Sequence, residues 1–245
     1  YFVLVVLGSL CTPNAFAQVR LGAQGAEAEP GRMQQWLVPS PAMDVAARAR
    51  LFRPPGDGPF RLAVIAHAST QNVLRRAQMP QPEYRALAAW LVAHGFAVLV
   101  PERPGHGATG GKYLEDQGGC DEADYARSGR ATADELSAGA GSVRKQSFIR
   151  PEGMVVVGHS AGAWGALALA GEDPRDVAAI IAFAPGRGGH ANDLPNRICA
   201  AHTLVAAAGE FGRNARVKVT WLVADNDSYF SPAFSRQLAD AFRST

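Results

Sequence analysis

The sequence predicts an α/β fold in which helices cover both faces of a mostly parallel sheet. Continuous apolar runs at 61–68, 96–102 and 177–185 are typical of strands that are buried on both faces. Segments with helical periodicity separate these runs, and strands that alternate with helices favour parallel pairing. A single domain over 18–245 accounts for the whole pattern.

The first half of the chain predicts edge strands followed by buried elements. Segments 34–40 and 44–55 alternate apolar and polar residues and end at proline or glycine, which predicts two antiparallel edge strands. The buried strand 61–68 comes next. A helix is then expected, because apolar residues within 84–91 share one face and Gly95 supplies a stop signal.

The second half repeats the strand and helix pattern after an irregular stretch. Residues 103–130 are rich in Gly, Asp and Arg, which predicts a long loop before a helix over 131–146. The later expected elements are a strand at 153–157, a small-residue helix at 163–170, buried strands at 177–185 and 217–225, and a last helix capped by Ser231 and Pro232.

The charge of the chain is nearly balanced. The 24 basic and 22 acidic residues give a formal net charge of +2. This balance offers no electrostatic basis for binding nucleic acid or an anionic membrane. No cysteine has a metal-ligand spacing with another cysteine or histidine, so no metal site is expected.

Residues 1–17 have the features of a secretory signal peptide. The segment from Phe2 to Leu10 is apolar but too short to span a bilayer. Ala15 and Ala17 flank Phe16 in the small-x-small pattern of a cleavage site, which predicts cleavage after Ala17 and a periplasmic or secreted protein. One alternative is a lipoprotein signal with Cys11 as the lipidated residue, which the bulky Leu10 disfavours, and the other is a buried strand at the edge of the domain.

Two cysteines follow the predicted signal peptide. In an oxidising compartment, Cys120 and Cys199 are candidates for a disulfide because they form an even pair far apart in sequence. The alternative is two independent buried thiols.

The segment GHSAG at 158–162 predicts a catalytic turn. It lies between a predicted strand and a predicted helix, so Ser160 would occupy a sharp turn with its hydroxyl exposed. Gly158 and Gly162 lack the Cβ atoms that would collide where strand and helix approach. The alternative is an ordinary strand-to-helix turn.

From about Arg50 to Thr245 the chain resembles the α/β-hydrolase superfamily, and within it the secreted dienelactone-hydrolase-like enzymes. The resemblance rests on GHSAG, IAHAST (65–70), PERPGHGATGGKY (101–113) and WLVADNDSYFSP (221–232). It implies the α/β-hydrolase fold with Ser160 as nucleophile. True dienelactone hydrolases have a cysteine at that position.

The resemblance also implies an acid and an oxyanion hole. The acid follows a late strand and shortly precedes a proline, which favours Asp227 and leaves Asp225 as the alternative. The backbone amides of Ala161 and Ser69 are the expected oxyanion donors. His67 is expected to be a structural hydrogen-bonding residue.

The general base is expected to lie outside this sequence. In the family the histidine follows the acid, yet none of the six histidines follows Asp227. The chain is therefore expected to be truncated at its C-terminal end, without the family's last strand, last helix and histidine loop. The lack of an initiator methionine and of a basic segment before Tyr1 predicts truncation at the N-terminal end as well. His190 is the alternative base.

The expected function is hydrolysis of a carboxylic ester or similar acyl bond of a small molecule, outside the cytoplasm and without a cofactor. Two alternatives stay open. One is a prolyl-oligopeptidase-like peptidase, and the other is a non-catalytic secreted binding protein on a hydrolase scaffold.

Overall fold

The computed structural model describes residues 20–243. The predicted signal peptide at 1–17 and its cleavage site lie outside the described residues. Within 20–243, every helix is too short or too polar to cross a membrane.

The described chain folds around one sheet of eight strands. The strands are β1 (Gly22–Ala23), β2 (Gln34–Val38), β3 (Ala47–Phe52), β4 (Arg61–Ala66), β5 (Phe96–Glu102), β6 (Met154–His159), β7 (Val177–Phe183) and β8 (Lys218–Leu222). Their spatial order is β1-β2-β3-β5-β4-β6-β7-β8. The first three strands and β5 pair antiparallel, whereas the pairs from β5 through β4, β6 and β7 to β8 are parallel. The predicted α/β-hydrolase fold, with a mostly parallel sheet, is confirmed.

Six α-helices accompany this sheet in the described part of the chain. They are α1 (Val73–Ala77), α2 (Arg85–Ala93), α3 (Tyr125–Val143), α4 (Ala161–Gly171), α5 (Ala201–Gly212) and α6 (Pro232–Arg243). The larger apolar core includes α3, α4 and α5 with Trp164 fully buried at its centre. A smaller core joins α2 to the opposite face of β4 and β5, so both faces of the central strands are covered.

Three helices differ from the prediction, of which the short α1 was not expected. α3 begins at Tyr125 rather than at 131, because the carboxylate of Asp124 accepts a hydrogen bond of 2.9 Å from the Arg127 amide and caps the helix earlier. α5 was not predicted, although its apolar residues form a buried stripe that includes Leu204 and Phe211. An alanine-rich segment carries weak periodicity, so this helix depends on packing against α4 and α6.

Strand β8 is not buried on both faces as predicted. Trp221 packs against Phe242 of α6 with ring centroids 6.0 Å apart, so one face is covered. Thr220 and Leu222 lie on the other face and are exposed. Among the described residues that face stays open, and Phe183 of β7 extends the exposed apolar surface.

A disulfide joins the loop before α3 to the loop before α5. Cys120 and Cys199 are bonded with an S–S distance of 2.06 Å and lie 79 residues apart in sequence. The Tyr125 hydroxyl donates a hydrogen bond of 2.6 Å to the Cys199 carbonyl and adds a second tie between the same two loops.

We expect the Cys120→Ser, Cys199→Ser double variant to lose about 2–5 kcal/mol of unfolding free energy. A crosslink that closes a loop of 79 residues restricts the unfolded chain, which the chain-entropy model values at about 4–5 kcal/mol. Urea unfolding without reductant measures the difference. With reductant, the wild type should approach the variant, and two freely alkylatable thiols in the denatured, unreduced wild type would contradict the pairing.

Candidate active site

Ser160 occupies the sharp turn between β6 and α4. Its backbone has φ 53° and ψ −118°, a positive-φ conformation outside the αL region that is unfavourable for a residue with a side chain. Two backbone hydrogen bonds of 2.9 Å hold the turn: the Ser160 amide donates to the Phe183 carbonyl, and the Ser160 carbonyl accepts from the Trp164 amide. The fold therefore stabilises a strained serine and leaves its side chain partly exposed.

The two glycines of the turn permit close backbone contact. A Cβ atom on Gly158 would lie 2.3 Å from the Ala163 Cα, and one on Gly162 would lie 2.2 Å from the Ala66 carbonyl oxygen. Both distances are impossible for real side chains. The contact at Gly162 brings the loop after β4 against the first turn of α4.

Ser160, Ala161 and Ser69 line one pocket of about 360 Å³. The Ala161 amide begins α4, where the first N–H groups have no helical partner. The Ala68 amide donates to the Tyr84 hydroxyl at 3.2 Å, but the Ser69 amide has no backbone acceptor within residues 20–243. Of these two amides, that of Ala68 is therefore engaged and that of Ser69 has no backbone acceptor in the described part of the chain.

Asp227 lies in the loop after β8 and is partly buried. Its Oδ1 accepts hydrogen bonds of 2.7 Å and 3.2 Å from the Tyr229 and Phe230 amides, which fixes the carboxylate. It is close enough to His159 to act on its ionisation: partial burial lowers the pKa of His159, and the charge of Asp227 opposes that shift. Asp225, by contrast, is exposed.

The histidines near Ser160 have other partners. The Nδ1 of His159 lies 3.1 Å from the Tyr84 hydroxyl. His67 is buried, with its Nδ1 2.6 Å from the Ala68 carbonyl and its Nε2 accepting from the Arg103 amide at 3.2 Å, which is a structural role. His190 lines the Ser160 pocket, but its ring stacks on Tyr229 and its Nε2 lies 3.1 Å from the Ser228 hydroxyl.

Sequence reasoning missed the role of His106. This residue lies in the loop after β5 and is buried, with its Nε2 2.7 Å from the Ser69 Oγ. Burial lowers the pKa of His106 to about 4. A histidine inside the PGHG stretch is a weak signal, because nothing local shows that Ser69 is its partner.

A cluster of buried charges lies behind the pocket. It consists of Arg103, Glu115, Glu135 and Arg187, each less than 5% exposed. Glu115 lies between the two arginines: Arg103 Nε donates to its Oε1 at 2.5 Å, and Arg187 donates to its Oε2. Burial disfavours the charged form of Glu115, but the two guanidinium groups outweigh it and hold its pKa well below the usual range.

Glu135 has the opposite ionisation behaviour. Within residues 20–243 its two oxygens have no hydrogen-bond partner of standard geometry, and the Arg103 Nε is 3.5 Å away. Burial and then the neighbouring charge of Glu115 raise its pKa well above the usual range. Within this cluster the surroundings therefore favour the charged form of Glu115 and the protonated form of Glu135.

We expect Glu135→Gln to stabilise the protein increasingly as the pH rises above the ordinary carboxyl range. Because the pKa of Glu135 is raised in the folded state, the folded protein holds this proton to a higher pH than the unfolded chain does. The wild type then loses about 1.4 kcal/mol of unfolding free energy per pH unit until Glu135 ionises in the folded state. Urea unfolding at pH 5 and pH 8 measures this slope, with the exposed Asp134→Asn on the same helix as control. A gain that is identical at both pH values would contradict it.

No group of three or more potential metal ligands occurs among residues 20–243.

Comparison with known proteins identifies similar sequences and folds. The model of a family described as serine aminopeptidase, S33 (Hydrolase_4) matches residues 81–227, more than half of the chain. No curated protein sequence matches. An esterase of Pyrococcus furiosus has a similar structure, with a TM-score of 0.62 and 12% identity over 93% of this chain and 86% of that one.

Two other solved structures are similar as well. A cold-adapted esterase from an Arctic intertidal metagenomic library has a TM-score of 0.58 and 14% identity over 90% of this chain and 85% of that one. An acylaminoacyl peptidase of Pyrococcus horikoshii has a TM-score of 0.57 and 10% identity over 85% of this chain but 35% of that one. At these identities the likeness concerns the fold.

Proposed function

Because the chain belongs to the serine aminopeptidase S33 family of α/β-hydrolases, we propose that it hydrolyses small carboxylic esters with Ser160 as the nucleophile. The observation that carries this proposal is the strained Ser160 in one pocket with Ala161 and Ser69, whose amides are the candidate oxyanion donors. A serine with two free amide donors beside it can form and stabilise a tetrahedral oxyanion.

In the proposed mechanism, the Ser160 hydroxyl loses its proton to a histidine and its oxygen attacks the ester carbonyl. The amides of Ala161 and Ser69 bind the oxyanion. Its collapse expels the alcohol oxygen, which takes the proton from the histidine, and leaves an acyl-Ser160 ester beside the neutral histidine. Water, deprotonated by the same histidine, then hydrolyses this ester. Asp227 holds the histidine in the tautomer that accepts the proton.

We propose that this histidine comes from sequence beyond Thr245. Within residues 20–243, none of the histidines bridges Ser160 and Asp227, since each has the other contacts described above or lies elsewhere. His190 is the alternative because it lines the same pocket. Activity that persists in the full-length His190→Gln variant supports the first proposal, and its loss supports the alternative.

The size and the polar lining of the pocket favour esters with short or polar acyl groups as substrates. Its volume of about 360 Å³ is at the small end of ligand sites, and its lining includes Gln71, Asn72 and Arg75. Most of a long alkyl chain would not fit in this space. The similar esterase structures match over most of their length, whereas the acylaminoacyl peptidase matches over 35% of its own.

Aminopeptidase activity is the second candidate. It is favoured by the family description and by Asp193, whose carboxylate lines the Ser160 pocket and could pair with the ammonium group of a peptide. The two candidates are tested on the full-length protein by comparing its rate of hydrolysis of p-nitrophenyl acetate with its rate for aminoacyl p-nitroanilides. Faster ester turnover supports the first and faster anilide turnover the second. Failure of a fluorophosphonate to label Ser160 would favour a binding protein.

We also propose that the enzyme is exported and belongs to the dienelactone-hydrolase-like branch. The signal-like segment at 1–17 and the Cys120–Cys199 disulfide support export. The sequence resemblance around GHSAG supports the branch, with serine replacing the usual cysteine nucleophile. Fractionation of expressing cells, followed by intact-mass analysis of the N-terminus, tests export.

A further inference from the structure

The protonation of His106 can be deduced from its neighbours. Its Nδ1 lies 3.0 Å from the Arg103 carbonyl and 3.2 Å from the Pro104 carbonyl, and carbonyl oxygens only accept hydrogen bonds. The proton of the neutral ring is therefore on Nδ1, and Nε2 carries a lone pair. Because Nε2 is 2.7 Å from the Ser69 Oγ, the Ser69 hydroxyl must donate to it.

Tyr113 extends this series of hydrogen bonds, and its own hydroxyl donates to Ser69. Its hydroxyl oxygen accepts from Arg187 Nη1 at 3.0 Å and from Gln71 Nε2 at 3.3 Å. Neither partner atom can accept in return, so the Tyr113 proton is available for the Ser69 Oγ at 3.4 Å. These groups thus form a hydrogen-bond chain in which each one donates to the next. Its order is Arg187, Tyr113, Ser69, His106 and the Arg103 carbonyl.

The first two members of this hydrogen-bond chain, Arg187 and Tyr113, are held by further contacts. Arg187 is bound by Glu115 and by the Thr132 hydroxyl at 2.9 Å. The Tyr113 ring lies under the guanidinium group of Arg76, whose Cζ is 3.6 Å from the ring centroid. Ser69 is therefore anchored by its side chain from two sides, while its amide stays without a backbone acceptor among the described residues.

We propose that Tyr113 and His106 are positioning residues for the oxyanion hole: acting through the Ser69 hydroxyl, they aim the Ser69 amide at the oxyanion. The inference rests on the proposed function. The Ser69 hydroxyl already donates its proton to His106, so the Ser69 amide is the group that donates to the developing oxyanion. A rigid donor favours the transition state over the ground state, because the carbonyl oxygen moves and gains charge as the tetrahedral intermediate forms.

The test uses Tyr113→Phe and Ser69→Ala in the full-length enzyme. Tyr113→Phe removes the hydroxyl that donates to Ser69 and keeps the aromatic ring. Ser69→Ala removes the hydroxyl that anchors this residue and keeps its backbone amide. We expect kcat for p-nitrophenyl acetate to fall about tenfold in each, less than the roughly 10²–10³-fold typical of deleting an oxyanion donor. KM should change less than about twofold. The inhibition constant of a trifluoromethyl ketone, which forms a tetrahedral adduct with the serine, should rise by the same factor as kcat/KM falls.

Tyr125→Phe is the matched control. It also removes one tyrosine hydroxyl, the one that donates to the Cys199 carbonyl, outside the Ser69 chain. We expect it to lower the melting temperature and leave kcat and ketone inhibition unchanged.

The outcomes separate the two proposals. A wild type that hydrolyses no ester, with Ser160 unlabelled by a fluorophosphonate, would overturn the proposed function and this inference together. An active wild type whose Tyr113→Phe and Ser69→Ala variants keep kcat/KM and ketone affinity would overturn the inference alone. Equal losses in Tyr125→Phe and Tyr113→Phe would also overturn it, since the loss would then reflect general stability.

Discussion

Replacing Ser160 with alanine should lower ester turnover by about 10⁴–10⁶-fold, to the background left by binding and the oxyanion amides. The variant loses only the hydroxyl. The backbone bonds to Phe183 and Trp164 remain, so we expect an unfolding free energy within about 1 kcal/mol of the wild type. Hydrolysis of p-nitrophenyl acetate and labelling by a fluorophosphonate measure the loss, and urea unfolding measures the stability.

Ser137→Ala provides the control for that experiment. Ser137 is exposed on α3, outside the pocket, so its loss should change neither turnover nor labelling. Substantial labelling of the Ser160→Ala protein would mean that another residue is the nucleophile.

Asp227→Asn should lower kcat by about 10³–10⁴-fold, whereas Asp225→Asn should change it less than about threefold. The amide of asparagine cannot hold the base in the reactive tautomer, which is why the corresponding change is severe in serine proteases. The backbone amides of Tyr229 and Phe230 can still donate to the side-chain oxygen of the introduced asparagine, so the loop should keep its shape. Asp225 is exposed and could change without a comparable effect.

The comparison of the two aspartates is decisive because the substitutions are identical in kind. Steady-state kinetics on both variants, with circular dichroism to verify folding, measures the ranking. The reverse ranking would assign the acid to Asp225.

The central strands and the Ser160 turn could be predicted because their signals are local. A continuous apolar run such as 61–68 reports burial on both faces, and GHSAG between a strand and a helix reports the turn. The exposed face of β8 could not be predicted in this way, because apolar residues in a strand do not reveal which neighbours cover them. The early start of α3 depended on one capping aspartate within a polar stretch.

The charges behind the pocket were beyond sequence reasoning because their partners are distant along the chain. Arg187 and Glu115 are 72 residues apart, and Ser69 and His106 are 37 apart. No periodicity or short motif connects such residues. All four residues are polar and lie in loops, where exposure is the ordinary expectation. The fold alone therefore reveals that Arg187, Glu115 and His106 are buried.

Because of the backbone conformation of Ser160, selection for heat resistance and selection for activity favour different residues at this position. A residue with a side chain at φ 53° costs of order 1–3 kcal/mol, and glycine would remove most of that cost together with the hydroxyl. In a library screened only for survival at high temperature, glycine at position 160 should therefore be enriched. A screen that also demands turnover should retain serine there and find its stabilising substitutions elsewhere in the molecule.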